Sequence, residues 1–482
     1  MTSTGSAISS PSAGAGSRWG ALALALLSCA TTAGPGCGGT SSTPRPDILL
    51  VVWDTCRADR VSAQGYALPT TPRLAALARE GVIFRRCITP SPWTPPAHGS
   101  LFTGLLPLHH GLRESPGDRV HPDLPLLAAT LRSAGYETVA VPANPLLSAT
   151  GLLEGFETVF PVGKGDVKGR SPEVVARVEE WIRGLGARST ARKPFFLFVN
   201  LMDAHLPLDP EPEDLVAVHG AAGAAKVPAG GPAVDEVGAL AHLTGIRRVS
   251  DDDLRVLSLA YDGAVHRADR ATGKILDLLK GASLLDETVV AVVGDHGESL
   301  GEHGDLDHRV SVHDPVLRVP LVLRWRGRFE GGRAEDAQVR VQDLYPTLLE
   351  AAGVKVPPGC GRDALSLRET PLRPRDAVTQ ILWAPSCIPL LRERFPAAPG
   401  GAFDRFYLSR TAIREGSTGP GARKLVVTRR LLPDGTSRLE REDLFDTASD
   451  PGEDRSLLGP GAKPEDREAA TAIRARFAGI LE

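Results

Sequence analysis

Three apolar runs set the terms for everything else in this chain: Asp47-Ile48-Leu49-Leu50-Val51-Val52-Trp53, Pro194-Phe195-Phe196-Leu197-Phe198-Val199-Asn200 and Thr288-Val289-Val290-Ala291-Val292-Val293. Each is continuously apolar rather than alternating, the pattern of a strand covered on both faces in a parallel sheet. Helix-like stretches separate the runs. Thr71 to Gly81 reads as a capped helix ending at glycine, Leu124 to Ala134 as another, and Leu257 to Leu279 carries helical spacing. Thr138-Val139-Ala140-Val141 adds a further strand. The alternation predicts an α/β fold, a mainly parallel sheet sandwiched by helices. A chain of 482 residues can bury a large core, and its length suits one big domain plus a smaller one.

The N-terminus reads as an export signal. Arg18 precedes Trp19 to Ser28, an apolar core too short to cross a bilayer as a helix. Leu26-Leu27-Ser28-Cys29 resembles the bacterial lipoprotein cleavage box, which would make Cys29 the lipidated first residue. Cys37, in Gly34-Pro35-Gly36-Cys37, is a second candidate with Gly34 where an aliphatic is expected, and plain secretion is the other outcome. The expected division is a leader at 1–28, a Gly/Ser/Thr/Pro-rich tether at 29–45, the main α/β domain at 46–355 and an α+β subdomain at 356–482. Residues 211–250, rich in Ala, Gly and Pro, read as an insertion or lid beside the site. The expected location is the periplasm or outer membrane as a lipoprotein, otherwise secreted, with membrane contact only through the lipid anchor. A net charge of −3 and no Lys/Arg block interleaved with aromatics argue against a nucleic-acid partner. Cys56, Cys87, Cys360 and Cys387 allow three disulfide connectivities; Cys56, just past a strand end, reads as a buried thiol.

Open α/β sheets bind ligands beyond the carboxyl ends of their strands. Asp54 and Asp295 each follow such an end, so both carboxylates can reach one crevice. Thr94, in Trp93-Thr94-Pro95-Pro96-Ala97-His98, stands where a helix begins, because Pro95 and Pro96 suit first-turn positions. A helix N-terminus attracts anions through its free N–H groups and dipole. A threonine hydroxyl there, also touching a divalent cation, loses its proton more easily. Asp54, Thr94, Asp295 and His296 are therefore the expected ligands of one cation. The plain alternative for both acids is strand-end capping.

Taken together, these segments resemble the sulfatase family of the alkaline phosphatase superfamily. Pro46 to Tyr66 is similar to its opening metal strand and loop, and Gly294 to Gly304 to its second metal loop. Pro96, Leu101, Thr103 and Gly104 fit the frame Cys/Ser-x-Pro-Ser-Arg followed by Leu-x-Thr-Gly. Leu444-Phe445-Asp446 with Asp450-Pro451-Gly452-Glu453 resembles the closing motif. The resemblance implies an alkaline-phosphatase-like fold. It places Thr94 where true sulfatases carry the Cys or Ser oxidised to formylglycine, and Ala97 and His98 replace the Ser and Arg. A formylglycine mechanism is not expected. Members with an unmodified Thr (phosphoethanolamine transferases, lipoteichoic-acid synthases, nucleotide phosphodiesterases) act on phosphorus through a phospho-threonine.

Formylglycine sulfatases commonly hold calcium with an extra carboxylate at the position of Thr55. Losing it and gaining the His296 nitrogen shifts the expectation to one Mn, Zn or Mg ion over Ca. His205 matches the family's substrate-contacting His, and His308 resembles a His of Thr-type relatives that protonates the leaving group or binds anionic oxygens. His98 could assist the nucleophile or merely pack, and His303 is read as lying outside the immediate site. Arg57 could orient an anionic substrate or be a solvated loop charge. The expected activity is metal-assisted cleavage of a phosphate or sulfate ester of a small molecule, glycan or lipid head group, by hydrolysis or transfer. A sulfuric-ester hydrolase working without formylglycine and a catalytically silent envelope-binding relative are the alternatives.

Overall fold

The computed structural model describes residues 45–481 except 114–116, 165–166, 187–191, 370, 383–386, 418 and 420, and not the side chains of 164, 387 and 390. The leader, Cys29, Cys37 and the tether up to residue 44 lie outside the described residues, as does the side chain of Cys387. The central sheet consists of β1 (Asp47–Trp53), β2 (Val82–Phe84), β3 (Glu137–Val141), β4 (Thr158–Val159), β5 (Phe195–Leu201), β6 (Thr288–Gly294), β7 (Leu321–Arg324) and β8 (Arg333–Glu335). They lie in the order β8-β2-β7-β6-β1-β5-β3-β4. The three apolar runs occupy its middle: β1 pairs in parallel with β5 on one side and β6 on the other. Of the eight strands, β7 alone runs against the rest.

Continuous apolarity is explained by the two layers that cover the sheet. Leu49, Val51 and Trp53 pack into one core with Leu257, Tyr261, Val265 and Ile275 of the long helix Asp251–Gly281. Ile48, Leu50 and Val52 face the other core, with Leu101 and Phe102 of the helix Thr94–Thr103 and Leu344 and Leu348 of the helix Leu344–Ala351. Burying each such side chain stabilises the fold by about 1.5–3 kcal/mol. The long helix begins six residues before its apolar spacing does. Its first turn is Asp251-Asp252-Asp253, polar residues that favour the positive end of the dipole, capped by Ser250 accepting from Asp253 N–H at 3.2 Å.

Residues 211–250 contain two helices, Pro212–Ala224 and Glu236–Leu243. The first rests on the long helix, where its Asp214 takes His266 at 2.8 Å and Arg270 at 2.9 Å. Its apolar residues Leu215 and Val218 are buried there, too few and too irregularly spaced to give a clear period.

A second sheet follows, antiparallel throughout: β9 (Ala377–Ile381), β10 (Leu408–Arg414), β11 (Arg423–Leu431) and β12 (Ser437–Asp446). One face carries the helix Pro464–Arg476 through Ile413, Leu425, Leu444 and Ile473; the other packs on Ile88, Val316 and Leu317 through Ala412, Val426 and Phe445. The described cysteines Cys56, Cys87 and Cys360 are buried free thiols.

The closing motif is a clamp on this sheet. Glu453, at φ 57°, turns its buried carboxylate onto Lys424 Nζ at 2.7 and 2.8 Å and onto His313 at 3.0 Å. Removing one partner of a buried ion pair strands the other charge and costs about 3–5 kcal/mol, whereas replacing both with apolar groups is close to neutral. Lys424→Met is expected to lower the urea midpoint by an equivalent of that cost, and Lys424→Met/Glu453→Leu to recover most of it.

Candidate active site

Parallel pairing brings the two acids together. Trp53 and Gly294 are register partners in β1 and β6, so Asp54 and Asp295, each one residue further on, emerge side by side. The chain then turns sharply at Thr55, whose φ of 57° is left-handed. That turn aims the Thr55 N–H at Asp295 Oδ1 (3.1 Å), which also accepts from His296 N–H (2.7 Å). Asp295 Oδ2 is buried with no hydrogen-bond partner.

Thr94 opens its helix as the prolines predict, and the whole helix is buried. Its Oγ1 lies 3.3 and 3.4 Å from the two oxygens of Asp54 and 3.2 Å from His296 Nε2. The prolines carry no N–H, so the helix end offers an anion its dipole and the N–H of Thr94 itself, not a ring of donors. His296 Nδ1 donates to the Gly297 carbonyl at 3.0 Å, which assigns the lone pair to Nε2, the nitrogen facing Thr94. Asn144, just beyond β3, adds a group that no motif flagged. Its Nδ2 donates to Asp54 Oδ2 at 2.8 Å and sits 3.4 Å from Thr94 Oγ1, while Asn200 Oδ1 fixes its backbone N–H at 2.8 Å. The strand-end argument that picks out Asp54 and Asp295 applies equally to Asn144 and would have found it.

These groups are buried without countercharge. Burial pushes the Asp295 carboxyl well above its ordinary range and the charge on Asp54 pushes it further. Burial drives the His296 imidazole down, with neighbouring His308 adding to the effect, so His296 is neutral. An unpaired buried carboxylate is costly by several kcal/mol, and a cation removes that cost. One ligand atom each from Asp54, Asp295 and His296 lie within 4.8 Å of one another. The orphaned Asp295 oxygen, the neutral imidazole and the paired acids fit a single divalent ion, with Thr94 Oγ1 as the fourth donor.

The other histidines divide. The His308 ring stands 4.5 Å from that of His296 and 5.4 Å from that of His205. Burial opposes its charge, but the carboxylates of Asp307 (3.4 Å) and Glu298 (3.3 Å) prevail and hold the imidazole above its usual range. His205 is pushed down to about 4 by burial, and its Nδ1 lies 2.6 Å from the Leu206 carbonyl. The loop that carries it is pinned by Lys168, whose ammonium donates to the carbonyls of Met202 (3.1 Å), His205 (2.5 Å) and Pro207 (2.8 Å). His98 is held at about 4 by burial, with Nδ1 3.0 Å from the Thr94 carbonyl and 3.5 Å from Asp295 Oδ2. Edge-on contacts with Phe102 and Phe198 fix its ring beneath the helix start, on the packing side of Thr94.

Arg57 is not brought to the cluster as a free cation. It is bound to Asp59 at 2.9 and 2.7 Å, to Glu302 at 2.8 Å and to the Glu298 carbonyl at 3.1 Å, and so braces the two metal loops against each other. His303 stacks on His313 at 3.8 Å, by the C-terminal sheet. Glu298, Asp307 and His308 also gather within 4.8 Å, but Arg309 already pairs with Asp307 at 2.6 Å.

Residues 46–354 match the family model described as Sulfatase. The chain is 25% identical over 399 residues to the multifunctional alkaline phosphatase superfamily protein PehA of Trinickia caryophylli, covering 67% of this chain and 76% of that protein. It is 25% identical over 483 residues to choline-sulfatase of Rhizobium meliloti (strain 1021), covering 90% and 86%. The phosphonate monoester hydrolase of Agrobacterium radiobacter superposes with a TM-score of 0.64 at 19% identity, over 90% of this chain and 95% of that one, a likeness of fold. A family match across most of the chain coincides with acids, imidazole and hydroxyl gathered at the strand ends. The protein belongs to the metal-dependent sulfatase family of the alkaline phosphatase superfamily, and is an enzyme acting on sulfuric or phosphoric esters.

Proposed function

We propose that the enzyme cleaves its ester through a covalent intermediate on Thr94, with one divalent cation held by Asp54, Asp295, His296 and the Thr94 hydroxyl. The observation that carries this is the position of Thr94 Oγ1, within 3.4 Å of both Asp54 oxygens and of His296 Nε2. The bound cation supplies Lewis-acid charge that lowers the hydroxyl pKa and offsets charge on the transferring group. Thr94 Oγ gives up its proton to solvent and bonds to phosphorus or sulfur as the bond to the leaving alkoxide breaks. That alkoxide takes a proton from the His308 imidazolium. Asn144 Nδ2 orients Asp54 and the Thr94 oxygen, while neutral His205, whose one N–H is given to the Leu206 carbonyl, presents the Nε2 lone pair and can accept from a hydroxyl of the substrate or from water. Water then bonds to the transferred group, the bond to Thr94 breaks, and the hydroxyl is restored; an acceptor alcohol in place of water would make the enzyme a transferase.

Phosphorus chemistry follows from the unmodified threonine. Sulfate chemistry has support of its own, since the match that covers 90% of the chain is a choline-sulfatase. The substrate is proposed to be a small-molecule, glycan or lipid-head-group ester met outside the cytoplasm, with the enzyme exported and anchored through Cys29.

Thr94→Ala is expected to cut turnover of aryl phosphate, phosphonate and sulfate esters by on the order of 10^4 or more, as loss of a nucleophile does elsewhere, while metal content measured by mass spectrometry stays near one ion per chain. An unchanged rate on the preferred ester rules Thr94 out. Chelation followed by reconstitution is expected to restore turnover with Mn, Zn or Mg better than with Ca; restoration by Ca alone contradicts the ligand argument.

A further inference from the structure

Arg86, Arg318 and Arg414 line a cavity of about 380 Å³ between the main sheet's domain and the C-terminal sheet. Its acids are already taken. Arg414 pairs with Asp314, whose same oxygen lies 3.5 Å from Lys424 Nζ. Asp59 is held at both oxygens by Arg57, at 2.9 and 2.7 Å. Arg86 and Arg318 are left over: among the described residues neither side chain makes a hydrogen bond or an ion pair. Burial, and then the charge of Arg414, pushes the Arg86 guanidinium below its ordinary range. Guanidinium forks match the paired oxygens of a tetrahedral anion, and such charge-assisted bonds are among the strong ones.

We propose that this cavity binds a sulfate or phosphate group, carried either by the free inorganic ion or by a second ester group on a larger anionic molecule. The cavity shares its walls with the metal loops. Asp59 sits on the turn that follows Asp54. Pro315, also in the wall, presses its carbonyl against Gly297, where an added Cβ would stand 2.0 Å from that oxygen. The acids whose charge reaches Arg86 and Arg318 include Asp59 and Asp314, which are bonded to other arginines, so a bound anion would give these two guanidinium groups a directly bonded partner.

The test compares the full-length protein, Arg86→Ala/Arg318→Ala, and Arg326→Ala/Arg328→Ala as a control of equal net charge. Each is titrated calorimetrically with sodium sulfate and with a disulfated disaccharide, and melted in anion-free buffer. The Thr94 site is intact in all three, so differences read the cavity alone, and failure of the Thr94 chemistry would leave them unchanged. The cavity variant is expected to melt no lower than the parent, because mutual repulsion is removed, and to lose about tenfold or more in affinity at this site, with the control unaffected. Parent binding of inorganic sulfate assigns the ligand to the free ion; binding of the disaccharide alone assigns it to a distal ester group. The proposal is overturned if the parent binds neither ligand, or if the cavity variant binds both as the parent does.

Discussion

The parallel pairing of β1 with β6 is the constraint from which the site follows. Because Trp53 and Gly294 are register partners, the two carboxylates that come next have nowhere to go but beside each other, at the floor of the crevice above the sheet. A slip of one residue would turn one of them into the core on the other face of the sheet. The buried apolar strands that fix this register therefore do chemical service: each Val, Leu and Ile packed between the two helical layers helps to hold a pair of like charges that would otherwise separate.

Holding them has a cost that shapes the surroundings. Asp295 spends one oxygen on two backbone N–H groups and leaves the other unpartnered. Asp54 draws Asn144, and His296 is kept neutral with its free nitrogen facing the threonine. Everything near the cluster is arranged around a positive charge that the chain itself does not provide. Arg57 shows the same economy from the opposite side. It is the nearest arginine in sequence to Asp54, yet it is fully engaged by Asp59 and Glu302 and serves to hold the loops together.

Much of this could be read from the residues. The apolar runs gave strands and their parallel sense, and strand ends plus helix-opening prolines located Asp54, Asp295, His296 and Thr94. What escaped was local in sequence but tertiary in cause. Asn144 belongs to no motif and matters only because β3 ends beside β5, one strand away from β1. Lys168 earns its place through three carbonyls, all on a loop more than thirty residues away. The strand Ser437–Asp446 is hard to recognise, since Arg438, Glu440, Arg441 and Glu442 crowd its outer half and its partner Arg423–Leu431 carries Arg423, Lys424, Arg429 and Arg430. Arg57 was ambiguous because only its ion pairs, set by the fold, decide between substrate and scaffold.

The most direct test of the central claim is anomalous diffraction from crystals of the manganese-loaded enzyme. The account predicts one strong peak with oxygens of Asp54 and Asp295, Nε2 of His296 and Oγ1 of Thr94 each at about 2.0–2.2 Å, ordinary bonding range for such ligands. A peak held instead by Glu298, Asp307 and His308, with none at the Asp54 cluster, or an ion from which the Thr94 hydroxyl is turned away, would contradict it.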